Sequence, residues 1–318
     1  MNMTSALLFP GQGSQKVGMG KDLYNEFELA KTRFDDANRI LDRDLKSIIF
    51  EGSEDELRNT QNTQPALFIV ETILFDLAYE HKCLTEPFVT LGHSLGEYSA
   101  LYASGFYSFS DGLQIVAKRG ELMAEAGKVS QGTMAAIIGL SKYDILNVLA
   151  SITDGTVVAA NINSPEQIVI SGDVWAVENA CVLLKAVGAK YAKKLAVSGA
   201  FHSPLMEPAA KEFETYLSRF LFSDTKYPVI SNVTAQAETN ADTIKNLLIK
   251  QLFSPVQWVD SIQWLTDNGI TECIELGPGA VLKNLVKKCK NEMNVRSCSS
   301  MDNLYALQGS GKLVGSEI

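Results

Sequence analysis

The chain has 318 residues, 46% hydrophobic and 20% charged, a globular composition with room for one large or two modest domains. Its 28 Lys and Arg are outnumbered by 37 Asp and Glu; the net charge of −9 excludes the basic footprint of a general nucleic-acid binder. No run reaches the roughly 18 apolar residues that span a bilayer, and the opening MNMTSALLF lacks the basic flank of a signal peptide, so no membrane role is expected.

In chain order, SALLFPGQGSQ reads as a short buried strand, Ala6 to Phe9, ending in a glycine-bearing loop. KDLYNEFELAKTRFDDANRIL has helical spacing throughout. GSEDELRNT reads as a short helix capped by Ser53, with Glu56 three residues on. NTQPALFIVETILFDLAYEHK predicts a long apolar-striped helix with Pro65 near its first turn. PFVTLGHS predicts a strand over Phe88 to Leu91, followed by a helix from about Leu95 to Ala103. SFSDGLQIVAKRGELMAEAG predicts another helix, with Arg119 in its second half. Near Gly127 the pattern becomes strand, helix, two strands joined at Asn163-Ser164-Pro165, helix, strand. That is the split-βαβ order of a ferredoxin-like module. Helices and strands alternate again from SPLMEPAAKEFETYLSRF to GAVLKNLVKKCKN, as in a mostly parallel sheet covered on both faces. The expected organisation is an α/β body, residues 1–127 and 197–305, interrupted by an insert over 128–196 and followed by a loose tail over 306–318.

Chemistry concentrates at Ser94. The strand, Gly92-His93-Ser94-Leu95-Gly96, helix sequence is a nucleophile elbow in its expected setting. The glycines clear space for a tight turn that exposes the serine Oγ, and the Leu95 N–H at the helix start faces a developing oxyanion. A serine needs a base, and the chain has three histidines. His81 lies at a helix tail. His93 adjoins the serine, where side chains diverge, and suits packing or a hydrogen bond beneath the turn. His202, between a strand and a helix, stands at the ligand-facing end of a parallel sheet and is the expected base. No carboxylate follows in a position to orient it. Three scattered histidines and five cysteines without C-x-x-C spacing predict no metal site and reduced thiols of a cytoplasmic protein.

The segments FPGQGSQ, TQPALF, GHSLGEYSAL, RGELM, NSPEQIVISG, FHSPLM, NVTA, SPVQW and ELGPGAVL, in that order over nearly the whole chain, resemble the malonyl-CoA:acyl-carrier-protein transacylases of fatty acid synthesis. The resemblance implies an α/β-hydrolase-like large subdomain with a ferredoxin-like insert. It implies ping-pong transfer of malonyl from coenzyme A, through an ester on Ser94, to the phosphopantetheine thiol of an acyl carrier protein. No cofactor is implied, because the coenzyme A thioester is a substrate, and a monomer is expected. His202 would be the base, the Gln12 and Leu95 N–H groups the oxyanion hole, and the Gln251 carbonyl the group that orients the imidazole. Arg119 would bind the malonyl carboxylate through a bidentate fork. Phe201, in FHS, would disfavour a branched acyl unit, or is an ordinary core ring. Gln64 either lines the pocket or simply occupies the first turn of its helix. Asn161 and Gln167 either face the cleft or are satisfied hairpin groups. An acidic carrier needs a local basic patch, for which Lys185, Lys190, Lys193 and Lys194 on the insert compete with Lys283, Lys287, Lys288 and Lys290. A polyketide acyltransferase, a thioester hydrolase and an inactive binding subunit are the alternatives; the presence of both Ser94 and His202 argues against the last.

Overall fold

The computed structural model describes residues 5–307 except 85, 87 and 198. The first stretch of the large subdomain runs β1 (Ser5–Phe9), α1 (Lys21–Glu26), α2 (Glu28–Leu41), α3 (Leu45–Glu51), α4 (Glu54–Arg58), α5 (Thr60–Glu80), β2 (Phe88–Gly92), α6 (Gly96–Ala103) and α7 (Phe109–Val129). A small subdomain follows, with β3 (Gly132–Ile138), α8 (Lys142–Ala150), β4 (Val157–Ser164), β5 (Gln167–Asp173), α9 (Val174–Ala186) and β6 (Tyr191–Lys194). The chain then returns through α10 (Glu207–Leu217), β7 (Val229–Ile230), β8 (Ala237–Glu238), α11 (Ala241–Gln251), α12 (Trp258–Asp267), β9 (Glu272–Leu276), α13 (Val281–Cys289), β10 (Asn294–Cys298) and α14 (Met301–Leu307).

The large sheet has the order β10-β9-β1-β2-β7-β8, parallel except for the β7–β8 hairpin. Period-two alternation divides β1 between two cores: Leu7 and Phe9 pack with the α5 and α7 side, Ala6 and Leu8 with Trp258 and Ile262 of α12. Both faces are therefore covered, and every residue of β1 and β2 is buried. The small sheet is antiparallel in the order β4-β5-β3-β6, the strand order of a ferredoxin-like module. It is tied to the large subdomain by backbone bonds on either side of Val256, which donates to the Ala160 carbonyl and accepts from the Ile162 N–H.

Five elements differ from the expectations, one of them α3 (Leu45–Glu51), a short helix over LKSIIFE to which the sequence reading assigned no element. The helix expected over 21–41 is broken at Phe27, whose backbone is extended while its ring packs against His81 and Tyr305. Strands β8 and β10 and helix α14 are additional; all three are short pieces at the sheet margins or chain end, where neither burial nor periodicity is strong. Ala306 and Leu307, assigned to a loose tail, belong to α14, and the remainder of that tail lies outside the described residues. Pro65 is the sixth residue of α5, one turn deeper than a free N-terminal position. The Gln61 carbonyl it leaves without a helical donor is taken by the Arg43 guanidinium at 2.8 Å.

Candidate functional site

The loops after β1 and β2, adjacent parallel strands, bring Gln12 and Ser94 to one end of the sheet, where open α/β sheets hold their ligands. Ser94 has φ 53°, in the left-handed region that non-glycine residues rarely adopt. Asn232 holds this bend: its Oδ1 accepts the Ser94 N–H at 2.7 Å and its Nδ2 donates to the Gly92 carbonyl at 2.6 Å. The two glycines are required by close approach. A Cβ on Gly92 would lie 2.0 Å from the Gly96 carbonyl carbon, and one on Gly96 would lie 1.9 Å from the Phe9 carbonyl oxygen.

His202 also has a left-handed backbone, φ 57°, and its Nε2 lies 2.8 Å from Ser94 Oγ. Its Nδ1 faces the Gln251 carbonyl at 2.8 Å and the Ser254 carbonyl at 3.2 Å, at the end of α11. Two acceptors on Nδ1 fix the proton there and leave Nε2 unprotonated toward the hydroxyl. Burial and the neighbouring Arg119 charge push His202 down to about 3, so the imidazole is neutral and receptive at ordinary pH.

Arg119 projects from α7 with a buried guanidinium. It donates to Gln64 Oε1 at 2.7 Å, Gln251 Oε1 at 2.9 Å and Ser94 Oγ at 3.1 Å, all neutral oxygens. Its Nε has no partner. Its direct hydrogen-bond partners are all neutral, and the buried Glu97 acts on it only through space. Gln64, one of the two readings of which put it on the pocket wall, sits behind Arg119, buried against Met123 and absent from the cavity lining.

These groups open into a cavity of about 260 Å³ lined by Gln12, Ser94, Leu95, Arg119, Phe201 and His202, with Asn161, Asn163 and Gln167 contributed by the small sheet. The N–H groups of Gln12 and Leu95 have no acceptor within the described residues and are available to an incoming oxyanion. His93, expected either beneath the turn or on the pocket wall, lines the cavity beside the serine; its Nε2 bonds Asn163 Oδ1 at 2.8 Å and its ring packs on Trp258. Gln167 reaches the cavity and also accepts from Lys288 Nζ at 3.1 Å.

Two residues at the site escaped the sequence reading. Asn232, in NVTA, is the staple described above. Glu97, in the first turn of α6, is buried with its Oε2 accepting Gln251 Nε2 at 2.6 Å and the Asn232 N–H at 3.2 Å. Burial raises it to about 7 against the pull of those donors and Arg119. Among the described residues, no group of three potential metal ligands is clustered and no helix is long and apolar enough to cross a membrane.

The acyl transferase domain family model matches residues 6–306. The chain is 46% identical over 301 residues to the malonyl CoA-acyl carrier protein transacylase of Bacillus subtilis, covering 94% of each chain. It superimposes on an acyl carrier protein S-malonyltransferase from Vibrio cholerae with a TM-score of 0.92 at 39% identity, covering 96% and 99% of the two chains. It is also similar to a malonyl-transacylase solved in complex with a type II polyketide synthase acyl-carrier protein, at a TM-score of 0.91 and 36% identity, covering 96% and 99%. With an elbow serine, a paired imidazole and a buried arginine in one cavity, and with the family model matching nearly the whole length, this chain belongs to the acyl transferase domain family.

Proposed function

We propose that this protein transfers malonyl from coenzyme A to the phosphopantetheine thiol of an acyl carrier protein in fatty acid biosynthesis. The observation that carries the reading is one hydroxyl, Ser94 Oγ, 2.8 Å from an imidazole nitrogen and 3.1 Å from an arginine that has no carboxylate partner. His202 takes the Ser94 proton as Oγ attacks the thioester carbonyl. The oxyanion is met by the Gln12 and Leu95 N–H groups, and the Gln251 carbonyl stabilises the imidazolium through Nδ1–H. The C–S bond breaks and the imidazolium proton leaves with the coenzyme A thiol. The carrier thiol then gives its proton to His202 and attacks the malonyl ester, and collapse of that second intermediate returns the proton to Ser94.

Arg119 would pair with the malonyl carboxylate, and Phe201, buried at the cavity wall, would crowd a branched acyl group. For the acidic carrier, the Lys283, Lys287, Lys288 and Lys290 face is favoured over the insert's lysines. Lys288 contacts Gln167 at the cavity mouth, whereas Lys194 is already paired with Glu178. A monomer in a cytoplasmic setting, using the coenzyme A thioester as a substrate with no added cofactor, is part of this reading.

Incubation with malonyl-CoA alone, followed by intact mass measurement, tests the reading. A stable malonyl adduct, absent in Ser94→Ala, is expected. Rapid release of free malonate without an adduct would make the protein a hydrolase. Side-by-side transfer to fatty acid and polyketide carrier proteins tests the pathway, with faster transfer to the fatty acid carrier expected.

A further inference from the structure

Two arginines, Arg119 fully buried and Arg43 half-buried, have no carboxylate partner among the described residues. Arg33, Arg39 and Arg58 form ion pairs, and Arg219 and Arg296 are exposed. The remaining two are Arg119, in the cavity described above, and Arg43. Arg43 donates only to neutral oxygens, the Gln61 carbonyl at 2.8 Å and Asn62 Oδ1 at 3.0 Å, and burial lowers its pKa with no charged neighbour to offset it. Arg43 takes the Gln61 carbonyl that Pro65 leaves free, yet no carboxylate offsets its charge, which leaves it open to an anion entering from the surface.

Arg43 lines a recess of about 590 Å³ between α2, α5, α7 and α10, on a different face of α7 from Arg119. Lys118 and Arg219 line it too, and the single carboxylate in its wall, Glu121, is already paired with Lys118 at 3.0 Å. Arg219 lies over the ring of Tyr216, 5.2 Å from its centroid, with no carboxylate partner. Two guanidinium forks and an ammonium suit the clustered oxygens of a phosphate better than a single carboxylate. The volume lies within the range of roughly 300–1,000 Å³ typical of small-molecule sites. Ile40, Leu41 and Tyr216 add an apolar wall against which a planar ring can rest.

We propose that this recess binds a phosphate-bearing small molecule of nucleotide size, with Arg43, Lys118 and Arg219 taking its phosphate oxygens. The proposal is independent of acyl transfer. The recess is built on the helices that hold Arg119: Gln61 lies one residue from Thr60, which bonds Gln12 Oε1 at 3.1 Å, and three from Gln64.

Calorimetric titration of the full chain with inorganic pyrophosphate and with adenosine diphosphate tests it. Saturable one-site binding is expected, weakening with salt and falling by about tenfold or more in Arg219→Gln and in Lys118→Gln. These two side chains make no bond that the fold depends on, so their variants keep the test valid if Arg43→Gln disturbs α5. Tighter binding of adenosine diphosphate identifies a nucleotide site, and equal binding identifies a site for the phosphate group alone. No saturable binding of either probe, or equal affinity in wild type and both variants, overturns the proposal.

Discussion

Arg119 donates to the hydroxyl of Ser94 at 3.1 Å, so the positive charge proposed to select the acyl group rests against that hydroxyl before any ligand enters. Its other partners are amide oxygens of Gln64 and Gln251, which orient the guanidinium without neutralising it. A carboxylate entering the cavity would be the first anion Arg119 accepts as a direct hydrogen-bond partner. Arg119→Ala is expected to lower kcat/KM for malonyl-CoA by about 10²–10³-fold, the equivalent of breaking a buried pair worth roughly 3–5 kcal/mol. Arg119→Lys should recover little, because one ammonium cannot reproduce the fork. Acetyl transfer should hold steady or rise in Arg119→Ala. Steady-state kinetics with both thioesters decides the matter, and unchanged malonyl kinetics would remove the specificity argument.

The base has its own pH signature. Free His202 lies near 3, because burial and Arg119 both oppose its charged form. The profile of kcat/KM reports the free enzyme, so acylation should stay level as pH falls from about 8 to below 5 instead of dropping near the ordinary histidine value of about 6.5. A bound malonyl carboxylate would cancel part of the Arg119 charge, so the acidic limb of kcat should lie at higher pH than that of kcat/KM. Rapid-quench acylation across pH measures both limbs, and a kcat/KM limb at 6–7 would contradict this reading.

Stability carries the opposite signatures of two buried groups. For His202 the folded value is lowered, so the unfolded chain binds the extra proton and stability falls as pH drops below about 6.5. For Glu97 the folded value is raised to about 7 from 4.5, so the folded chain binds the extra proton and stability falls as pH rises from 4.5 to 7. Between about pH 4.5 and 6.5 the two slopes oppose each other, so wild-type stability should be nearly level there and Glu97→Gln should unmask a rise in stability with pH. Urea midpoints of both proteins from pH 4 to 8 provide the check. The same pH dependence in both proteins would assign the titration to another group.

Pattern alone marks the elbow, because Ser94 follows an apolar strand between two glycines. For His202 the reading expects the end of a parallel-sheet strand, whereas the strand before it, β6, is an edge of the small antiparallel sheet. Arg119 is reached through the family resemblance, since an arginine late in a charged helix otherwise reads as a solvated cation. The Gln251 carbonyl was reachable only through family resemblance, since a backbone acceptor has no residue signature. Asn232 and Glu97 were not legible as site residues. Asn232 works on Ser94 from 138 positions away, and Glu97 has the sequence appearance of a surface charge. The kink at Phe27 and strand β10 were hidden for a related reason, because ring contacts and sheet-edge pairing made through distant residues set them.

Strain at the elbow offers a test that separates geometry from chemistry. Ser94 holds φ 53° with a Cβ, against a local penalty of about 1–2 kcal/mol for an L-residue in that region. The Asn232 side chain stabilises the bend through the Ser94 N–H and the Gly92 carbonyl, neither of which depends on the hydroxyl. Ser94→Ala and Ser94→Gly should both abolish acylation, because each removes Oγ. They should differ in stability: glycine relieves the strain but restores freedom to the unfolded chain, leaving Ser94→Gly about 1 kcal/mol more stable than Ser94→Ala. Chemical denaturation of the two inactive variants measures the difference directly. Equal midpoints would mean that the strain relieved only matches the freedom glycine restores to the unfolded chain, less than the penalty argued here, and a less stable Ser94→Gly would mean that the bend stores no strain.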